Sequence, residues 1–203
     1  MTKAKKPFLD SYRKFALILV ILSVIGLMAS FILTVEKINL LKYPSSPLSC
    51  NLNPIVSCGS VIESGQAEAF GFTNSLIGLA GFSVIITICV GMLAGAKYKK
   101  WFWLGLQAGT ILGVIFAHWL FYQSVYVIQA LCPFCIVVWA VVIGLFVYTT
   151  CFNFAEGNIK TPKQLSSAIK WLTHNAWFIV ALWYLAIIVA ILTNFWYYWK
   201  TLF

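Results

Sequence analysis

Cys132 and Cys135 enclose Pro133 and Phe134 in a C-x-x-C, the spacing of a redox dithiol or of half a zinc site. A second pair, Cys50 and Cys58, forms a C-x7-C in the one long polar connection of the chain. Pro133 suits the first position of a helix, where its missing N–H costs nothing. Cys132 then stands near the helix N-cap, where free amides and the helix dipole favour a thiolate. Cys135 lies one turn further in, about 4.5 Å deeper at a rise of ~1.5 Å per residue. Cys132 thus looks toward the loop and Cys135 toward the interior. This asymmetry suits disulfide exchange on one side and a lipid-soluble redox partner on the other. Exchange needs thiolate attack on a disulfide through a mixed intermediate. A loop carrying Cys50 and Cys58 can bring a disulfide to Cys132 and also present it to a partner protein.

Zinc is the competing chemistry for four converging cysteines. A C-x7-C with a C-x-x-C at a membrane surface is an unusual spacing for a structural metal site, and no metal is expected. Cys89 and Cys151 read as inert buried or interfacial residues. His118, well inside a predicted span, is more often an interhelical hydrogen-bonder than a proton carrier. His174 reads as a surface residue, and Tyr122 and Tyr126 as parts of an aromatic belt.

The elements that must position these groups are transmembrane helices. The chain is 62% hydrophobic and 9% charged, against about 45–50% and about 25% in a soluble domain. An orientation signal accounts for its net charge of +9, so no nucleic-acid partner is expected. Apolar runs of bilayer-spanning length, about 20 residues, predict spans over 15–35, 74–96, 101–123, about 135–151 and 176–198. The first run is too long for a signal-peptide core and lacks a small-residue cleavage site. The last ends in an aromatic cluster, Phe195 to Trp199, of the kind found at headgroup level. G-x-x-x-G spacings at Gly91/Gly95 and Gly105/Gly109/Gly113 predict closely packed helices.

Between the first two spans, Glu36, Lys37, Lys42, Pro47, Pro54, Glu63 and Glu68 interrupt every apolar window. Residues 36–73 therefore read as a loop, and Leu48, Leu52, Ile55, Val56, Val61 and Ile62 make it a packed cap. Within it, 60–66 reads as a short amphipathic helix. The expected division is an N-terminal segment 1–14, a core 15–151 with its cap, a polar basic loop 152–175, and a fifth helix with a short tail over 176–203. Eleven of the 14 basic residues share one side, among them Lys3, Lys5, Lys97, Lys99, Lys100, Lys160 and Lys163. The positive-inside rule places that side, with the N-terminus, in the cytoplasm. Both cysteine pairs then face the oxidising, extracytoplasmic compartment of a cell membrane.

"SCGSVIESG" around Cys58, "FTNSLIGL" opening the second span and "CPFC" opening the fourth follow the C-x7-C in this order. From Cys50 to Trp139 the chain resembles the vitamin K epoxide reductase family, most closely its bacterial members that oxidise partner proteins with quinone. The resemblance implies an all-α membrane protein, a four-helix bundle with a fifth helix beside it. It implies that Cys132 and Cys135 are the active-site pair, with Cys135 toward the quinone. Cys58 would exchange with Cys132, and Cys50 with a thioredoxin-like partner. Asn74, without the resemblance a helix N-cap, matches an asparagine that binds a quinone carbonyl, and Ser64 a serine near the active site. Trp139 stands where animal members have a tyrosine. An indole donates a hydrogen bond but does not ionise as a phenol does, so reduction of a quinone (ubiquinone, menaquinone or a vitamin K type) ranks above epoxide reduction. A non-enzymatic membrane protein with a structural disulfide or zinc ranks third. Many relatives carry a thioredoxin-like domain after the fifth span; this chain ends at Phe203, so a separate thioredoxin-like partner is expected.

Overall fold

The computed structural model describes residues 6–44, 48, 50–51, 53, 55–161, 164 and 166–200. Lys3, Lys5, Pro47, Leu52, Pro54 and Lys163, named above, lie outside the described residues. The elements are α1 (Lys6–Lys42), α2 (Cys58–Ile62), α3 (Ser75–Leu93), α4 (Lys100–Tyr122), α5 (Pro133–Ala155), α6 (Ser166–His174), α7 (Ala176–Asn194) and α8 (Trp196–Trp199). A 3-10 turn, Gly65–Glu68, follows α2, and a π-helical turn, Gln123–Ile128, continues α4. Helices α1, α3, α4, α5 and α7 are each long and apolar enough to cross a membrane. The protein is an all-α, multi-pass membrane protein.

Helix α1 packs along α3 and α5, and α4 packs along α5. Helix α7 stands outside this four-helix core, against α5. Two hydrogen bonds tie it there. The Trp183 indole donates to His118 Nε2 at 3.0 Å, and the Tyr184 hydroxyl donates to the Ala140 carbonyl at 2.6 Å. His118 Nδ1 lies 2.9 Å from the Val114 carbonyl. Its ring therefore donates at Nδ1 and accepts at Nε2, a clip between α4 and α7.

Several element ends differ from the sequence reading. Helix α1 runs on through Glu36 and Lys37 to Lys42, seven residues into the expected loop. At ~1.5 Å per residue it is about 55 Å long, against about 30 Å of hydrocarbon. Charges end an apolar window, but Glu and Lys are good helix formers; the first breaker is Pro44. Helix α5 likewise continues past Cys151 to Ala155, and Gly157, with φ 68°, closes its end. Part of the expected 152–175 loop is the amphipathic α6. The fifth span breaks at Phe195 into α7 and α8. In the cap, helix forms over Cys58–Ile62 and Gly65–Glu68 rather than as one piece over 60–66.

The close helix approaches also lie elsewhere than the G-x-x-x-G stripes suggest. A Cβ at Gly78 would run into Ser30 Oγ, and one at Gly26 would sit 2.6 Å from the Phe82 ring. These two glycines let α1 and α3 touch. A Cβ at Gly105 or Gly109 would meet nothing within 4 Å, because both line the cavity described next.

Candidate redox site

The site begins where α4 loses its regular winding. After the π-helical turn, Gln129 adopts φ 56°, the one positive φ at a non-glycine among the described residues. Ser124 holds the reversal: its hydroxyl donates to the Ala130 carbonyl at 2.5 Å, and its carbonyl accepts from the Ala130 amide at 3.1 Å. Leu131 is thereby left extended and pairs with the cap. Its amide donates to the Ile55 carbonyl at 2.7 Å, and its carbonyl accepts from the Ser57 amide at 3.0 Å. This isolated parallel bridge, Val56 to Leu131, joins the residues that lead into Cys58 and Cys132.

The cap's own turns come from short polar side chains. Asn53 Oδ1 accepts from the amides of Ile55 and Val56 at 3.0 and 2.7 Å. Asn51 Oδ1 accepts from the Gly59 amide at 2.9 Å. Ser57 caps α2, its hydroxyl accepting from the Ser60 amide. Such Asx and Ser motifs are readable as turn formers, yet the sequence reading gave none of them a role. It also missed Lys37. Its ammonium donates to the Ile62 carbonyl at 3.1 Å and meets Glu68 at 2.9 Å, latching the end of α1 to the cap.

Cys50 and Cys58 form a disulfide, with Cα atoms 5.5 Å apart. Cys132 and Cys135 are free thiols. Cys132 Sγ lies 3.3 Å from Cys58 Sγ, and both residues are fully buried. Cys132 occupies the N-cap of α5 with Pro133 next to it. A hydrogen bond from the Cys135 thiol holds the Cys132 thiol below its ordinary pKa. Burial opposes this, while the amides of Cys135 and Phe134 add to it. These groups stabilise a thiolate beside a disulfide sulfur. The site thus holds one disulfide and two thiols.

Cys135 opens onto a cavity of about 1190 Å³. At its cap end the lining is polar, with Ser64, Gln66, Thr73, Asn74 and Ser75 beside Cys135 and Trp139. Away from the cap it becomes an apolar slot between α3 and α4, past Gly78, Gly81, Gly105 and Gly109 to Trp101 and Phe102. These two helices barely touch each other. Exposed lining residues such as Val84, Leu112 and Ile115 show that the slot opens sideways.

Asn74 lies at the start of α3 but makes no capping bond. Its side chain turns back instead: Nδ2 donates to the Gln66 carbonyl at 2.7 Å, and Oδ1 accepts from the Ala69 amide at 3.2 Å. It staples the cap's 3-10 turn to the mouth of the cavity. Asn74 thus holds the N-cap position of α3 with its side chain engaged by these nearby backbone groups instead of the helix amides. Ser64 Oγ donates to the Val61 carbonyl at 2.7 Å. Trp139 is buried, edge-to-face against Phe121 with centroids 5.2 Å apart. Tyr122 and Tyr126 are exposed and pair with each other, away from the cavity lining. Cys89 is buried in α3, Cys151 lies near the Leu172 carbonyl, and His174 ends α6; none joins the site.

No curated protein matches the chain. The family model described as the vitamin K epoxide reductase family matches residues 17–150. That region runs from α1 through α5 and contains all four site cysteines, Asn74 and Trp139. A match over well more than half of the chain establishes the lineage. The chain belongs to the vitamin K epoxide reductase family, a family of membrane thiol and quinone oxidoreductases.

Proposed function

We propose that this protein reoxidises a thioredoxin-like partner and passes the electrons to a membrane quinone. One observation carries the reading: Cys132 Sγ lies 3.3 Å from the loop disulfide while its neighbour Cys135 lines an apolar cavity. The partner's dithiol reduces the Cys50–Cys58 disulfide and leaves as a disulfide. The Cys58 thiolate then attacks a Cys132–Cys135 disulfide at Cys132 and releases Cys135. Cys50 resolves the mixed bond, which restores Cys50–Cys58 and leaves the inner dithiol reduced. That is the arrangement present here: outer pair bonded, inner pair as thiols. The inner dithiol then gives two electrons and two protons to the quinone, yielding a hydroquinone and the Cys132–Cys135 disulfide.

The cavity fits such a substrate. Ring carbonyls need donors, and the cap end offers the Asn74 Nδ2 hydrogen not given to Gln66 and the Trp139 indole, while Ser64, whose hydroxyl donates to Val61, offers its oxygen as an acceptor. An isoprenoid tail needs an apolar path open to lipid, and the slot between α3 and α4 supplies one. The positive-inside bias supports placing the cap outside the cytoplasm, where a secreted dithiol partner would meet it.

Anaerobic turnover of purified protein with a reduced thioredoxin-like dithiol and a soluble quinone analogue tests this. Wild type is expected to consume the quinone, while Cys135→Ala and Cys132→Ala lose turnover by at least about 100-fold, as removal of an essential nucleophile does. Full turnover in Cys135→Ala rules out Cys135 as the quinone-facing thiol.

A further inference from the structure

Cys58 and Cys132 come from separate parts of the chain, and among the described residues the backbone link between them at the site is the bridge through Ile55, Ser57 and Leu131. Exchange between two sulfurs is sensitive to small displacements, because an error of about 1 Å in a reacting pair is enough to lose most of the rate. Something must hold this bridge from behind. The structure places Phe195 there. Phe195 is fully buried and forms one apolar cluster with Ile55, Val125 and Leu131. Next to it, Asn194 Nδ2 donates to the Val125 carbonyl at 2.8 Å, inside the π-helical turn that aims the chain at Cys132. Both residues sit where α7 ends, beyond the matched family region of 17–150.

We propose that the α7–α8 junction is a positioning element for disulfide exchange: Phe195 backs Ile55 and Leu131, and so keeps Cys58 at attack distance from Cys132. Helix α7 can do this because it is itself fixed to α4 and α5 by Trp183 and Tyr184. Most of its other large side chains, among them Leu182 and Leu185, are exposed. Away from the cap, Ala176, Ile179 and Val180 pack it on Ile143 and Val147 of α5; at the cap end its contacts are with the bridge. Phe195 and Asn194 reach neither the cavity nor a sulfur, so they act through Ile55, Leu131 and the π-helical turn.

The proposal rests on the relay described above, and its test does not use quinone. In full-length protein carrying Cys135→Ala, attack by Cys132 converts Cys50–Cys58 into Cys58–Cys132 with a free Cys50, and no thiol remains to resolve it from the inner side. Acid quenching, alkylation and peptide mass spectrometry give the ratio of the two disulfides among folded molecules. Adding Phe195→Ala is expected to lower the Cys58–Cys132 share by about 5-fold or more. Phe195→Leu should restore most of it, and Asn194→Ala should fall between. Leu182→Ala, on the exposed face of the same helix, should leave the ratio unchanged. An unaltered ratio in Phe195→Ala overturns the proposal and leaves the relay standing. If Phe195→Ala does not yield folded protein, an unaltered ratio in Asn194→Ala overturns it instead. Absence of any Cys58–Cys132 bond in the Cys135→Ala parent overturns the relay, and the positioning role with it.

Discussion

In the proposed relay the chemistry turns on Cys132, whose thiol is tuned by neighbours within one helical turn. The Cys135 thiol and the amides of Cys135 and Phe134 favour its thiolate against the cost of burial. A thiol whose folded pKa is lowered adds stability that is present above its unfolded value and is lost as pH falls through the folded one. Exchange should follow the same titration. The rate of Cys58–Cys132 formation should rise with pH and level off below the ordinary thiol range of about 8.5. Because the Cys135 thiol is the largest cause, Cys135→Ser, which keeps a donor, should hold the midpoint lower than Cys135→Ala. Quenched-flow rates across neutral pH would show this; identical midpoints in the two variants would remove Cys135 as the cause. Lys37 acts at the same scale but on position. Its bonds to the Ile62 carbonyl and Glu68 fix the end of α2, one turn past Cys58.

Between elements, the decisive feature is the poor contact of α3 with α4. Gly26 and Gly78 draw α3 tightly onto α1, and α4 is held on α5. A buried network fastens that second pair: Asn153 Nδ2 donates to Gln107 Oε1 at 3.0 Å, and Gln107 Nε2 donates to Thr150 Oγ1 at 2.9 Å. The two tight pairs leave the slot between them, floored by Gly105 and Gly109. Small residues that bring helices together in other membrane proteins here keep a channel clear. Gly109→Leu should fill the slot without touching the sulfurs. We expect it to raise KM about 10-fold for a quinone with a long isoprenoid tail, the loss that comes with excluding a few buried CH₂ groups. A short-tailed analogue should keep its KM and kcat. Equal effects on both quinones would mean that the tail does not run past Gly109.

At the scale of the whole molecule, alternating spans set which groups share a compartment. The cap, the start of α5 and the α7–α8 junction meet at one end. Lys97 and Lys99, between α3 and α4, and Lys100, which opens α4, belong to the opposite end. The charge bias predicts that the cysteine end is extracytoplasmic. In intact cells, after mild reduction, a membrane-impermeant maleimide should modify Cys50 in a variant whose other cysteines are alanine. A single cysteine placed at Lys99 should react only after lysis. Reaction of the Lys99 site in intact cells, with Cys50 protected, would invert the topology.

Much of this was legible in one dimension. Apolar runs of bilayer length and the C-x-x-C at a helix start are local properties, so the five spans and the helical class follow from sequence alone, and the two cysteine pairs stand out in it as candidate redox groups. Helix ends were less legible, because hydropathy marks where the hydrocarbon stops; Glu36, Lys37 and Lys42 leave it without breaking α1. Tertiary structure alone decided what depends on distant partners. The 3.3 Å approach of Cys58 to Cys132 needs a π-helical turn that no propensity announces. The turn of Asn74 toward Gln66 and Ala69, the opening beside Gly105 and Gly109, and the seat of Phe195 behind Leu131 arise when separate helices pack. Spacing along a chain carries the chemistry a residue can perform; which sulfur it meets is set by contacts across dozens of intervening residues.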